Sequence, residues 1–242
     1  MDAETMKKLI CLPLIMGASV VIAAGLLAWG IYASRVQDDT LAVTGSAKRT
    51  VSADVAKWQT NFSRAAAIEN LKEGYTQMTR DQKAVEKFFA EHGIKPEDIS
   101  VSSVSMEQIY RPDGGPPNQY ILRQNVQLTS GDPDKMNELS KGIQPLIDQG
   151  IIFSSSPVEY YYTKLADLRV ELLADAVKDA ATRARAIVES TGKKLGNLSS
   201  AAMGVVQVMA PNSVDISDYG AYDTSSQQKE VMITVRTVFK IK

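Results

Sequence analysis

The chain has 242 residues, a formal net charge of −1 at pH 7, a single cysteine and a single histidine. Residues 36–242 contain 24 basic and 26 acidic side chains, and this balance provides no positive field that would attract nucleic acid. Cys11 has no second cysteine with which to form a disulfide. One histidine without a Cys/His cluster is not the pattern of a zinc site.

An apolar segment opens the chain. Residues 9–34 contain no charged side chain, and Lys7, Lys8 and Arg35 bracket them. A helix needs about 20 apolar residues to span a bilayer, so the segment predicts an uncleaved transmembrane signal anchor in contact with lipid. The alternative is a cleaved signal peptide, although its apolar region is normally only about 7–15 residues long. The lysines before the segment favour a cytoplasmic N-terminus.

The next segments predict two strands and a long helix. Leu41, Val43 and Gly45 alternate with their neighbours, and residues 51–63 alternate again, with the break expected at Gly45. Apolar residues then recur at three-to-four spacing between positions 68 and 89, which predicts a helix of about 25 residues with one apolar face. His92 ends this pattern and is followed by glycine, so we interpret it as part of a helix cap rather than as a metal ligand or a catalytic base.

The middle of the chain predicts a hairpin, a second helix and a third strand region. Asp132 before Pro133 is typical of a helix start, and this helix is expected to end near Gly150. The remaining predicted elements are a turn at 94–98, strands at 99–110 and 120–128, a hairpin tip at 111–118 and a strand region at 151–162.

A second long helix is predicted over residues 164–191. Its apolar stripe includes Ala176, Ala180 and Ala184, whose small side chains permit close approach of a sheet or another helix. Gly192 is expected to cap the helix. Strands at 198–209 and 229–242 follow, and paired strands with helices between them predict an α+β domain.

Residues 210–228 lie between the last two predicted strands and show no periodicity. Long loops in compact domains are usually functional or disordered, so two alternatives stay open: solvated surface, or a contact with a ligand or partner. Under the second alternative, Tyr219 and Tyr222 are the candidate contact residues.

No catalytic constellation is evident in the sequence. Glu171, Asp175 and Asp179 are spaced by four and share one helix face, but basic residues nearby make a solvated charged face a sufficient explanation. There is also no glycine-rich phosphate loop. We therefore expect no enzymatic activity, no catalytic residue, no cofactor and no bound metal.

Several motifs in a fixed order resemble the SIMPL family. They are a strand that ends in Gly, an extended strand with an Asp near its start, an alanine-rich helix, and a Gly-x-x-x-Gly ending after that helix. Ala53 departs from the pattern, because the family usually has proline there. The residues that carry the resemblance are Gly45, Asp54, Ala176, Asp179, Ala180, Ala184, Gly192 and Gly196.

The resemblance implies an exported domain, and the apolar segment with its flanking charges adds the anchor and the inner-membrane location. The fold class expected is α+β, a SIMPL-like domain of paired antiparallel strands with packed helices, preceded by one N-terminal transmembrane helix. The expected division is a cytoplasmic N-terminus at 1–8, the anchor at 9–34, a linker at 35–40 and the exported domain at 41–242. The expected location is the bacterial inner membrane, single-pass, with the C-terminal domain in the periplasm.

Three functions are compatible with the sequence. The first is a non-enzymatic protein that self-assembles into a large ring- or cage-like homo-oligomer, with a link to envelope or oxidative stress that the family resemblance implies. The second is a periplasmic ligand- or partner-binding module that acts as a monomer or dimer through residues 210–228. The third is an enzyme that uses the carboxylates of the second long helix.

Overall fold

The computed structural model describes residues 16–30, 39–110, 118–213 and 217–242. The helices are α1 (16–30), α2 (Leu71–Glu91), α3 (Pro133–Lys141), α4 (Gln144–Asp148) and α5 (Leu165–Glu189). The strands are β1 (Thr40–Ser52), β2 (Val55–Ala67), β3 (Ile99–Val101), β4 (Ser105–Gln108), β5 (Gln119–Ser130), β6 (Ile152–Ser155), β7 (Glu159–Tyr161), β8 (Leu195–Met203), β9 (Gln207–Met209), β10 (Ala221–Tyr222) and β11 (Gln228–Ile241).

The strands form two sheets. In the five-stranded sheet the order is β1-β11-β9-β10, and β8 also pairs with β11. In the six-stranded sheet the order is β3-β5-β2-β6, with β4 on β5 and β7 on β2. The long antiparallel pair β2–β5 runs in register from Ala56 opposite Ser130 to Ala67 opposite Gln119. Two sheets with helices confirm the predicted α+β class.

The chain divides into two compact units. One contains Met1–Thr44, Ala180–Ala202 and Arg236–Lys242, and the other contains Gly45–Asp179 and Met203–Val235. The predicted exported domain at 41–242 therefore supplies residues to both units. The elements β1, α5, β8 and β11 each run through a boundary between them.

The larger unit has two hydrophobic clusters. In the first, α2 covers the inner face of the six-stranded sheet, where Trp58 and Phe62 are fully buried and Trp58 meets Phe89 edge to face at 6.0 Å. In the second, Leu172 and Ala176 of α5 pack with residues of β9 and β11, including Val231. Burying each large apolar side chain contributes about 1.5–3 kcal/mol, so these contacts dominate the stability of the unit.

The smaller unit has its own cluster. Val43, Ala184 and Phe239 form its buried centre, and Leu41, Ala181 and Leu195 pack against them. Thr237 is buried and donates its hydroxyl to the carbonyl of Val43 at 2.9 Å. This bond satisfies a polar group that would otherwise be buried without a partner.

The prediction of a transmembrane helix over 9–34 is wrong. No helix in the described ranges is long and apolar enough to cross a membrane. The predicted cytoplasmic segment 1–8, the rest of the 9–34 segment, and the linker apart from its last two residues lie outside the described residues.

Several predicted boundaries also differ. The first two strands separate at Ala53 and Asp54 rather than at Gly45, which lies buried inside β1. The helix predicted from Pro133 to Gly150 is two helices, α3 and α4, because the first ends at Gly142. The predicted strand at 99–110 is the two short strands β3 and β4. The hairpin tip at 111–118 lies outside the described residues except for its last position.

Candidate functional site

The alanine stripe of α5 lies where close packing requires small side chains. Ala176, Ala180 and Ala184 are all fully buried. In the larger unit, the neighbouring carboxylate of Asp179 accepts a hydrogen bond from the backbone N–H of Ser46 at 2.9 Å. These family-motif residues therefore hold structure in place, and none of them is an exposed reactive group.

Asp54 fixes the turn between β1 and β2. Its two carboxylate oxygens accept hydrogen bonds from the backbone N–H and the hydroxyl of Thr163, both at 2.8 Å. The N–H of Ala53 donates to the carbonyl of Gln227 at 2.8 Å, which ties the same turn to the segment before β11. The turn forms with alanine at the position where the family usually has proline.

The two glycines after α5 have different roles. Gly192 has φ +75°, the left-handed conformation expected of a helix cap. Gly196 lies so close to its neighbouring strand that a Cβ there would stand 2.7 Å from the carbonyl oxygen of Lys240. Glycine is required at position 196 because of this steric contact with β11.

The helix carboxylates form ion pairs and do not form an acid/base pair. Arg49 of β1 contacts the carboxylates of both Glu171 and Asp175. Both acidic side chains are more than half exposed, so the contacts are screened by solvent. Glu171 and Asp175 lie on one face of α5, as their spacing predicts, and both contact the side chain of Arg49.

The segment predicted as an aperiodic loop contains a short strand. Within 210–228, β10 pairs in parallel with β9, with Ala221 opposite Gln207. Tyr219 is 97% exposed and precedes Gly220, whose φ is +88°. Tyr222 behaves differently, because its hydroxyl accepts the N–H of Tyr162 at 2.8 Å. The predicted pair of contact tyrosines is therefore one exposed side chain and one engaged in packing.

A buried lysine holds the end of this segment. Lys229 has no exposed side-chain surface, and its Nζ donates to the carbonyls of Asp223 and Ser226. Burial lowers the pKa of Lys229, and the nearby carboxylate of Asp223 opposes that shift. Burial also raises the pKa of Asp223, but hydrogen bonds from Ser225 and Ser226 outweigh it and hold that pKa below its ordinary value. This role was not predictable from local sequence, because an isolated lysine is normally exposed.

An uncharged strand edge is the second feature missed at the sequence level. The nine residues of β8 contain no charged residue and no proline, and positions 197–203 are all exposed. Lys194 and Lys242 exchange two backbone hydrogen bonds of 2.8 Å at its start, the pattern of an antiparallel pair. Among the described strands β8 pairs with β11 alone, which leaves the backbone groups of its other edge without a strand partner in that part of the chain. An edge of this kind is a template for pairing with another chain.

The described ranges offer no arrangement of side chains suited to a metal ion. They contain no group of three or more His, Cys, Asp or Glu side chains that could hold a metal ion. His92 ends α2, where its Nδ1 lies 2.8 Å from the carbonyl of Phe88 and Gly93 follows with φ +73°. This confirms the predicted cap. The absence of a cofactor stays a prediction.

The family of the chain is established by comparison with family models. The model for SIMPL, described as a protein of unknown function (DUF541), matches residues 41–239. The match includes both sheets and all of α5, and it ends within β11. No curated protein matches the chain.

Proposed function

This chain belongs to the SIMPL family over residues 41–239, and from that premise we propose that it is a non-enzymatic protein that self-assembles edge to edge into a closed, ring-shaped homo-oligomer. The single observation that supports this proposal is the uncharged, exposed edge of β8. In this proposal the edge of β8, and not a membrane anchor, brings the copies of the chain together.

β1 and β8 are both edge strands of the five-stranded sheet, and they are protected to different degrees. Natural edge strands are normally shielded from other chains by charged side chains, above all lysine. On β1, Lys48 and Arg49 supply this protection, and Lys48 forms a 3.0 Å ion pair with Glu230. On β8 there is no charged side chain from Leu195 to Met203. A second chain could therefore pair with β8 without burying an unpaired charge.

The difference between the edges favours a ring. Residues 40–45 of β1 are uncharged and precede Ser46, whose N–H is bound by Asp179, so β8 of one copy can pair there with the next copy. Because β8 and β1 differ in sequence, this contact is head-to-tail, and head-to-tail contacts give rings when their rotation closes. Pairing of β8 with β8 would instead give a two-fold dimer.

A lysine placed on the edge tests the proposal. Ser200→Lys puts a charge at an exposed position of β8, and the matched control Thr79→Lys puts the same charge on the exposed face of α2. We expect the edge variant to dissociate the assembly and the control to retain it, as measured by analytical ultracentrifugation. Equal unfolding midpoints for the two variants would show that neither fold is lost. An edge variant that retains the assembly mass of the unmodified chain would contradict the proposal.

A second candidate function rests on Tyr219. A tyrosine that is 97% exposed presents a large apolar ring with a polar end, the composition of an interface anchor. Under this alternative the chain is a monomer or dimer that binds a partner through 210–228. Tyr219→Ser would then abolish partner capture and leave the oligomeric mass unchanged. Under the ring proposal, the same variant changes neither.

The cellular setting is part of the proposal as an untested prediction. A location outside the cytoplasm and a link to envelope or oxidative stress come from the family resemblance alone. Fractionation of cells that produce the chain tests the location. Comparison of a deletion strain with its parent under peroxide tests the stress link, and equal survival would contradict it.

A further inference from the structure

The outer face of the six-stranded sheet carries four amide side chains, which we call the amide array: Gln59 and Asn61 on β2, and Asn125 and Gln127 on β5. Gln59 lies directly opposite Gln127, and Asn61 directly opposite Asn125. Side chains alternate between the faces of a strand, and the inward positions between them, such as Trp58 and Val126, are buried beneath α2. The four amides therefore form a two-by-two block on the face away from the helices.

The amide array lies in a groove of about 390 Å³. Serine side chains border the block, with Ser100 opposite Gln127 and Ser154 opposite Asn61 on the neighbouring strands. No charged side chain lines the groove. Its volume falls within the range of small-ligand sites, roughly 300–1,000 Å³.

The array has no structural role that explains its composition. Each amide offers a carbonyl acceptor and two N–H donors. None of the four side chains makes a hydrogen bond to another part of the described chain. Asparagine is disfavoured in strands, where threonine would suit a solvated face better. Two neighbouring asparagines on central strands therefore lower the stability of the sheet, and no hydrogen bond from their side chains within the described chain offsets this loss.

We propose that the amide array is a binding site for a neutral oligosaccharide. Sugar hydroxyls both donate and accept hydrogen bonds, and the amides and serine hydroxyls of the groove offer both functions in return. The lack of charge in the groove favours a neutral ligand over an ionic one, since nothing there compensates a desolvated ligand charge. The inference does not depend on self-assembly, because the array lies on a different sheet from β8.

Ligand-observed saturation-transfer NMR on the full 242-residue chain tests the site, because this method tolerates a large assembly. The probes are cellohexaose and chitohexaose. Each is titrated to about 10 mM, a concentration at which dissociation constants in the millimolar range are measurable. The test variant is the double substitution Asn61→Thr with Asn125→Thr. The matched control is Gln119→Thr, an exposed amide on the same strand as Asn125 and opposite Ala67.

We expect at least one probe to bind the unmodified chain and the control with equal Kd. The double variant should bind at least about tenfold more weakly, through the loss of several hydrogen bonds. Its unfolding midpoint should be unchanged or higher, because threonine is favoured in strands. Absence of binding by both probes, or equal Kd in the double variant, would overturn the proposal. A double variant that changes the oligomeric mass while leaving saccharide binding intact would assign the array to a second copy and overturn it as well.

Discussion

Substituting the buried Lys229→Met is expected to lower the free energy of unfolding by about 2–5 kcal/mol. Methionine retains most of the length and volume of lysine but cannot donate a hydrogen bond. The carbonyls of Asp223 and Ser226 then lose the donor that they share. The carboxylate of Asp223, 3.8 Å from Nζ, also loses its nearest cation.

The magnitude follows from opposing contributions. A buried carbonyl left without a donor costs about 1–3 kcal/mol, and since the carbonyls of Asp223 and Ser226 are half-buried we take about 2 kcal/mol for the pair as the lower end. Removing one partner of a buried ion pair typically costs 3–5 kcal/mol, which sets the upper end. The desolvation penalty of the ammonium, visible in the lowered pKa of Lys229, is relieved in the variant and keeps the loss from being larger.

Urea denaturation of the variant measures this loss, with Lys87→Met as the control. Lys87 is 76% exposed and forms a single 3.7 Å ion pair with Glu91 one helical turn away, so its loss should be at most about 0.5 kcal/mol. Equal denaturant slopes for the two variants would show that both unfold from the same native state. A loss below about 0.5 kcal/mol for Lys229→Met would refute the account of how the segment before β11 is held.

Three further predictions concern stability. Gly196→Ala should lower the free energy of unfolding by about 1–3 kcal/mol, because the new methyl group would clash with the carbonyl oxygen of Lys240. Thermal denaturation measures this loss. Asp81→Asn should lower it by about 3–5 kcal/mol, because Arg64 holds both carboxylate oxygens at 2.5 and 2.9 Å; a small loss in urea denaturation would contradict this. Asp223→Asn should destabilise the protein at pH 7, and the deficit should shrink as the pH falls below 3.8. A carboxyl whose pKa is lower in the folded protein than in the unfolded chain stabilises the fold at pH values above its unfolded pKa. That stabilisation is lost as the pH falls through the folded pKa, so a deficit that does not change with pH would contradict the assignment.

Local patterns located α2, the start of α3 and the buried face of α5. The three-to-four spacing before His92 located α2, and Asp132 caps α3 as predicted, with its carboxylate accepting the N–H of Lys135 at 3.1 Å. The alanine stripe likewise located the buried face of α5. These signals depend on residues only a few positions apart, which is why sequence alone carries them.

Features that depend on distant residues were not predictable in this way. The parallel pairing of β10 with β9 joins residues that no local period relates. The burial of Lys229 depends on carbonyls of a turn that folds back over it, and the amide array exists only through the β2–β5 register. The length and apolarity of residues 9–34 predicted a spanning helix, whereas no helix in the described ranges is long and apolar enough to cross a membrane.

The mass of the full-length chain by native mass spectrometry tests the central proposal most directly. A mild detergent should be present to cover the exposed apolar side chains of α1, such as Val21 and Leu27, so that association through them is suppressed. We predict a single closed assembly of more than two subunits, reduced to a monomer by Ser200→Lys. A monomer or dimer for the unmodified chain would contradict assembly into a ring through β8.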